Sequence, residues 1–321
     1  MLASARRAAS AGASALAHAS SAASAAAEAA DAAAALAPAI AAVVAVAATS
    51  SALQLSRAFG DGGSADAGEG FFGGDRWQGR TLGVALTWTL LLSYAFFLAP
   101  GQSPEAKETD LVVLKQLLAN PFDGTVPALF VSIFNSLGIW PVIYAATLLP
   151  GAAKQSPVPA WPFVGSSFAL GAFGLSPYLA LRQYRGSKGS VAPDDLDWIT
   201  RYWLEGRVNA ALMMAGAIYL VLYAVGNGAI GSVAPGAAWA AFLPVFMGSL
   251  TPHVSCVDFL VLWMFYSPVL LEDGRRRGLF TGAPAQWPAS EQALFAVCAA
   301  LPVFGGCTWL LLRPPLAGNE E

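Results

Sequence analysis

Charged side chains are scarce in this chain, which excludes an ordinary soluble domain. Only 12% of the 321 residues are charged, whereas 56% are hydrophobic, and the mean hydropathy is +0.56. Soluble domains carry about twice that share of charge. The net charge of −3 is small and the arginines are scattered over loops, so no nucleic-acid partner is predicted. The composition predicts a polytopic membrane protein in contact with a lipid bilayer.

Cysteine, histidine and lysine are scarce as well, and each scarcity removes a class of site. The three cysteines lie in apolar segments without a CxxC pair, so neither a disulfide framework nor a zinc site is predicted. Outside the N-terminal segment, which holds His18, only His253 remains, and this excludes a haem bound by two histidines. The four lysines all lie in loops, so no span offers a retinal Schiff base. No cofactor or metal is predicted, while a single pigment or lipid ligand stays open.

The first 50 residues have the composition of an organellar transit peptide. Alanine and serine dominate them, two arginines stand near the start, and no acidic residue precedes Glu28. The apolar stretch Ala37–Ser50 is short for a span, and Ala45-Val46-Ala47 has the form of a cleavage site, so a second signal stays open. An Ala-rich low-complexity tail is the alternative for the whole segment. Residues 51–80 predict a flexible lead-in.

After Arg80, six apolar runs are long enough to cross a hydrocarbon core of about 30 Å as helices of about 20 residues. They are Thr81–Ala99, Pro127–Leu149, Ala160–Leu181, Val208–Val225, Pro252–Leu271 and Gln292–Leu312. Gly236–Leu250 is apolar but short, and Pro244 interrupts it. We therefore predict an all-α, polytopic transmembrane helical bundle of about six spans over residues 81–313, followed by a short tail over residues 314–321.

Loop charge orients this bundle, because lysine and arginine are retained on the side from which helices insert. With six spans, ten basic residues share one side and four the other; if Gly236–Leu250 also spans, the ratio is eight to six. The ten are Lys107, Lys115, Arg182, Arg185, Lys188, Arg201, Arg207, Arg275, Arg276 and Arg277. Six spans thus place these residues in the stroma or matrix, with Arg313 and both termini on the opposite side.

Two loops on the basic side show further patterns. Ser103–Pro121 begins with a cap, a proline and an acid and carries leucines at helical spacing, which predicts one interfacial amphipathic helix. Arg182–Arg207 mixes basic residues with three aspartates. It predicts either a solvated connector or a docking loop for another membrane protein.

Asp258 is the one formally charged residue within the six predicted spans. Pro252 suits the first turn of its helix, which places the carboxylate about 10 Å along the axis. A carboxylate in a membrane is costly unless it is paired, hydrated or protonated, so a functional role is one hypothesis. The other is an Asp258 that is neutral, or bonded to His253, Ser255 or an asparagine, and fixes helix packing. We predict that Asp258 faces the bundle interior.

Other polar residues complete the candidate sites. Asn135 and Ser136 lie near the middle of the second span beside Pro141, which should kink the helix, and a kink next to an amide can line a cavity. The candidate functional intramembrane residues are Asp258, His253, Asn135 and Ser136. Arg275, Arg276 and Arg277 follow a helix-ending glycine, favour the negative helix end and can face phosphate headgroups, so we predict a membrane anchor there.

A resemblance to a known group covers roughly residues 114–278. LLANPFDGTVPALFVSIFNSLGIWPVIYAATLLPG through AWPFVGSSFALGAFGLSPYLALR, joined later to HVSCVDF and its acidic-arginine ending, resembles uncharacterised multi-span membrane proteins of plastids and cyanobacteria. That group closes the fifth span with an aromatic residue and an Asn-Asp pair before arginine, where this chain has SPVLLEDGRRR. The resemblance implies a plastid membrane, thylakoid or inner envelope, and supplies no catalytic residues. Transit-peptide composition leaves the mitochondrial inner membrane as the alternative.

Three functions fit these residues. Abundant packing motifs favour a non-enzymatic accessory or assembly factor for a plastid membrane complex. The alternative is a proton-coupled or small-solute transporter in which Asp258 titrates while Asn135 and Ser136 line a path, although no internal repeat supports it. The second alternative, a lipid-modifying enzyme, needs more acids, bases or metal ligands than the spans offer, and HExxH, GxSxG and DxxxD motifs are absent from them.

Overall fold

The structure is a computed structural model that describes residues 37–56, 79–152, 158–182, 191–226 and 235–316, and no strand occurs in these ranges. Most of the predicted transit peptide, most of the lead-in and the tail beyond residue 316 lie outside the described residues. The helices are α1 (Ala37–Ser56), α2 (Gly79–Ser93, continued as a π-helical turn over Tyr94–Leu98), α3 (Pro104–Ala119), α4 (Ala128–Ala152), α5 (Trp161–Leu181), α6 (Arg207–Val225), α7 (Pro235–Gly248), α8 (Leu250–Arg276), α9 (Ala289–Ala300) and α10 (Phe304–Leu312).

Six helices in the described part of the chain are long and apolar enough to cross a membrane: α1, α2 with its continuation, α4, α5, α6 and α8. The prediction of an all-α helical bundle with about six such segments is confirmed, and the chain is an integral membrane protein. The set of helices differs from the predicted one at both ends of the chain. α7 is apolar but shorter than a span, in line with its sequence.

α1 is the first difference. It is 20 residues long and continues through Ser56, so the predicted boundary at residue 50 falls inside a helix. Sequence analysis judged Ala37–Ser50 too short because it ended the apolar run at Ser50. The polar side chains beyond that point are used in packing: the Ser51 hydroxyl donates to the carbonyl oxygen of Met264 at 2.6 Å. α1 therefore packs on α8 as part of the bundle.

The predicted sixth span, Gln292–Leu312, is wrong. The helix stops after Ala300, and Val303 has a φ of 63°, which a continuous helix does not allow. A Cβ on Gly305 would lie 2.0 Å from the carbonyl oxygen of Cys298, so α9 and α10 pack side by side. They form a hairpin over residues 289–312. We call it the second hairpin, because another hairpin, described next, precedes it in the chain.

α5 is also a hairpin, although its length suits a span. Gly171 has φ 53° and ψ −130°, which breaks the helix in the middle. The rings of Phe163 and Tyr178 lie 5.9 Å apart, and a Cβ on Gly174 would lie 2.6 Å from Ser166 Oγ. In a straight helix, residues 163 and 178 would be about 22 Å apart along the axis. Residues 161–181 are therefore the first hairpin, which enters and leaves at the same end of the bundle.

These two hairpins revise the predicted sidedness. Arg182 lies 2.6 Å from Glu272, and Arg276 donates to the carbonyl oxygen of Thr147 at 3.3 Å, so α4, the first hairpin and α8 all end together. Arg313 joins them, 3.2 Å from Asp273, and its predicted place on the opposite side is wrong.

α3 lies at the other end of the bundle, because the Asp110 carboxylate accepts from the backbone N–H of Thr251 at 2.9 Å. Lys107 and Lys115 on α3 are therefore separated from the arginines, contrary to the prediction. Seven arginines whose side chains the structure describes now share one end, namely Arg182, Arg201, Arg207, Arg275, Arg276, Arg277 and Arg313. The rule of retained positive charge still predicts that this end lies on the insertion side.

The packing order explains how the hairpins are held. α4 and α8 form the central pair; the first hairpin lies against α2, α4 and α8, and α10 of the second lies mainly against α6. Backbone groups freed at a helix break within a membrane need protein partners. The indole N–H of Trp88 donates to the carbonyl oxygen of Phe173 at 3.0 Å, and that of Trp263 to Ala299 at 3.0 Å. A tryptophan thus supports each tip.

The revised topology predicts a labelling pattern. In a chain whose native cysteines are replaced, Glu108→Cys and Asp194→Cys should react with a membrane-impermeant maleimide from opposite sides of oriented vesicles. Six straight spans would place both on the same side. Ser290→Cys is the control, because both topologies place it with Asp194. Labelling of Glu108→Cys and Asp194→Cys from one side would contradict the hairpin assignment of α5.

Candidate functional site

The Asp258 carboxylate lies at the tip of the first hairpin. Its side chain is buried, as predicted, and its Oδ1 atom accepts from the backbone N–H of Ala172 at 2.7 Å. The N–H of Phe173 also bonds the carboxylate. Residues 172–181 form a half-helix whose first N–H groups lack intrahelical partners, and the positive end of its dipole faces Asp258. The site is therefore a carboxyl group held by a helix N-terminus inside the membrane region.

Gly171 makes this approach possible in two ways. Its positive φ is strained for any residue with a side chain. In addition, a Cβ at this position would lie 1.7 Å from Asp258 Oδ2, which is far inside any contact distance. The break in the helix and the space for the carboxylate thus depend on the same glycine.

His253 is not the partner of Asp258. Its Nδ1 atom lies 2.8 Å from the carbonyl oxygen of Phe246, and its Nε2 atom bonds the Tyr94 hydroxyl. A carbonyl only accepts, so Nδ1 carries a proton, and in the neutral imidazole Nε2 accepts from the Tyr94 hydroxyl. The His253 ring also stacks on Phe246 with centroids 4.3 Å apart. His253 joins α2, α7 and the start of α8.

Asn135 and Ser136 are not brought to Asp258 either. The Asn135 amide donates to the carbonyl oxygen of Val131 at 2.8 Å, and the Ser136 hydroxyl donates to the carbonyl oxygen of Ser132 at 2.7 Å. Both bonds stay within α4, one turn back along the helix. These two residues are half-buried and remain candidates by sequence alone.

Sequence analysis missed a buried ion-pair network at the other end of α8. We call it the arginine cluster; its members are Arg182, Arg276, Arg277, Arg313, Glu205, Glu272 and Asp273. Asp273 is fully buried at its centre. Its carboxylate accepts from Arg276 at 2.9 Å, Arg277 at 3.1 Å and Trp309 Nε1 at 2.8 Å. The cluster joins α8 to α10 and to the segment before α6.

Two arginines tie distant segments to this centre. Arg277 donates to both carboxylate oxygens of Glu205, at 2.7 and 2.9 Å. Burial alone would lower the pKa of Arg277, but the charges of Asp273 and Glu205 outweigh it and raise that pKa, so Arg277 stays charged. Arg313 donates to the carbonyl oxygens of Ala146 at 2.7 Å and Leu204 at 2.8 Å.

The anchor interpretation of Arg275–Arg277 does not describe two of its three residues. The side chains of Arg276 and Arg277 are only 6% and 0% exposed and contact carboxylates of the protein. Arg275 donates to the carbonyl oxygen of Phe280 at 3.1 Å. The acidic pair Glu272-Asp273, one residue before the arginines, was the available sequence signal for a pairing, whereas Glu205 and Arg313 lie far away in sequence and carried no such signal.

Within the described ranges, no group of three or more histidine, cysteine or acidic side chains is arranged to hold a metal ion. Fold and site together define the class: a helical integral membrane protein with two hairpins beside a central helix pair and a carboxylate at the tip of the first. No protein-family model, curated protein or solved structure matches this chain.

Proposed function

We propose that this protein is a proton-coupled transporter of a small solute and that Asp258 carries the coupling proton. The observation that supports it is the Asp258 carboxylate bound to backbone N–H groups at the tip of a broken helix. Secondary transporters build substrate and ion sites from such discontinuous helices, because half-helix ends offer partial charge and free backbone groups at membrane depth.

Two opposed forces act on Asp258. Burial disfavours its charged form, whereas the N–H of Ala172 and the positive end of the half-helix favour it. A carboxyl group in this position changes its interactions with the hairpin tip when it gains or loses a proton. That dependence is what couples protonation to a movement of the hairpin.

A permanent structural cap is the competing role for the same contact, since the Ala172 N–H needs an acceptor in either case. Asparagine separates the two roles because its amide oxygen accepts the same bond but does not titrate. Asp258→Asn should therefore retain the fold and abolish proton coupling.

The Asp258→Asn variant should lose the charge movement that proton binding to Asp258 produces. Wild-type protein in liposomes on a solid-supported membrane should show a transient charge movement after a pH jump, and the Asp258→Asn variant should show at least about tenfold less. Asp110→Asn is the matched control: Asp110 also accepts from a backbone N–H, that of Thr251, but at the end of the bundle. Its charge movement should stay at the wild-type level, and both variants should melt near the wild-type temperature.

Retained charge movement in Asp258→Asn would rule out Asp258 as the proton carrier. Absence of charge movement in the wild type would remove the proposal itself. A panel of inorganic anions, inorganic cations and small carboxylates, added under a pH gradient, then identifies the solute by the current it evokes.

The accessory-factor hypothesis and the plastid location stay predictions. Native-gel migration of a C-terminally tagged protein from mildly solubilised organelle membranes tests both. Co-migration with a pigment-protein complex would favour an assembly role and direct mutations to Arg182–Arg207, whereas migration alone would favour transport.

A further inference from the structure

α1 has one buried face along most of its length. Val43, Ala47, Ser50 and Ser51 are at most 7% exposed, and their i, i+4, i+7, i+8 spacing puts them on one side of a helix. Val43 and Ala47 belong to the same hydrophobic core as the central helices α4 and α8. A segment that is removed from the mature protein has no use for such a face.

Ser50 brings α1 against α2. A Cβ on Gly83 would lie 2.7 Å from Ser50 Oγ, which is closer than Cβ atoms approach other atoms in proteins. The absence of a side chain at Gly83 therefore allows the two helices to meet, as small residues do between membrane helices. α1 thus has a fitted position beside α2.

Ser51 gives α8 a hydrogen bond that α8 cannot make for itself. Pro268 lies inside α8, and proline has no N–H to donate to the carbonyl group four residues earlier, which is that of Met264. The Ser51 hydroxyl donates to this carbonyl oxygen at 2.6 Å. A carbonyl group that is freed within a membrane needs a protein partner, because lipid tails offer none. α1 therefore completes the backbone hydrogen bonding of a central helix.

The candidate cleavage motif Ala45-Val46-Ala47 lies in the middle of α1. Ala47 is fully buried, and the residues on both sides of it are helical. Proteolysis is concentrated at exposed segments without such structure. A cut after Ala47 would also remove Val43 and leave Ala48–Ser56, which is much too short to cross a membrane. Cleavage at this motif would thus dismantle a helix that the bundle uses.

We propose that α1 stays in the mature protein as a helix of the bundle and that its Ala45-Val46-Ala47 motif is not cut. A peptidase that hydrolyses the N-terminal segment would act before Val43, where the buried face begins. The transit-peptide composition then belongs to the part of the chain that precedes this face. This inference does not depend on the role of Asp258.

The N-terminus of the mature protein tests the proposal. The protein is purified from its native membranes, and its N-terminal peptide is identified by mass spectrometry. A chain that starts at or before Val43 is the expected result, because it keeps the whole buried face. A chain that starts after Val43, for example at Ala48, would overturn the proposal.

Ala47→Leu and Ala45→Leu form a matched pair within the motif, and both are expressed in the native host. Ala47 is buried whereas Ala45 is exposed, so only Ala47→Leu should overpack the helix contact and lower the melting temperature in mild detergent, by about 5 °C. Leucine at either position would impair cleavage at a small-residue motif. A longer chain in both variants than in the wild type, or equal melting temperatures of the two variants, would therefore overturn the proposal.

Discussion

Replacing Gly171 with alanine is expected to disrupt the first hairpin and with it the folded protein. The new Cβ would lie 1.7 Å from Asp258 Oδ2, and the backbone φ of +53° would be strained. Neither the Asp258 side chain nor the half-helix over residues 172–181 can move aside at low cost. Asp258 is bonded to the Ala172 N–H, and the half-helix packs against α2 and α8. Strain and overpacking together should cost about 3 kcal/mol or more.

Gly165→Ala is the control for this prediction. Gly165 belongs to the same hairpin, but a Cβ there would meet no atom within 4 Å. The free energy of unfolding, measured by titration from mild detergent into SDS, should change little or rise slightly for Gly165→Ala, because alanine is the better helix former. Equal stability of the two variants would mean that Asp258 does not occupy the space beside Gly171.

The second large effect is expected for Asp273→Asn in the arginine cluster. The substitution keeps an acceptor but removes the negative charge that Arg276, Arg277 and Arg313 share. Removing one member of a buried ion pair typically costs about 3–5 kcal/mol, because the remaining charge stays buried without compensation. The same SDS titration should detect this loss, and the ends of α8 and α10 should become accessible to proteolysis first.

Asp194→Asn removes an ion pair of similar length in a different environment. Asp194 lies 2.7 Å from Arg201, but its side chain is 87% exposed. Exposed pairs contribute little, so this variant should behave like an ordinary surface substitution. If Asp273→Asn lost as little stability as Asp194→Asn, that result would indicate that water reaches the centre of the arginine cluster.

The site and the cluster divide α8 into two functional ends. Asp258 contacts the first hairpin through a single backbone cradle, whereas Asp273 fixes α10 and the segment before α6 through several charge-assisted bonds. A network with many bonds favours rigidity, and a contact that depends on one proton favours change. Movement during transport is therefore expected at the hairpin tip, against a fixed arginine end.

Hydropathy could not distinguish a hairpin from a span at residues 161–181. Both place about 20 apolar residues in a membrane, and hydropathy does not register a helix break whose backbone groups find partners on other helices. Gly171 reverses the chain, and nothing in the apolar run around it indicates this. Only the contact of the residue 163 and 178 rings, and of residues 166 and 174, decides between the two.

The sequence by itself determined the class of the protein and the residue to examine. Apolar composition and run length predicted a helical membrane bundle, and the cost of an intramembrane charge singled out Asp258, because both follow from transfer free energies that depend on local composition. The tertiary structure decided which segments cross, which end holds Lys107 and Arg313, and what Asp258 and Arg277 bind. These depend on contacts between residues far apart in sequence, such as Asp258 with Ala172 and Arg277 with Glu205, which no local pattern encodes.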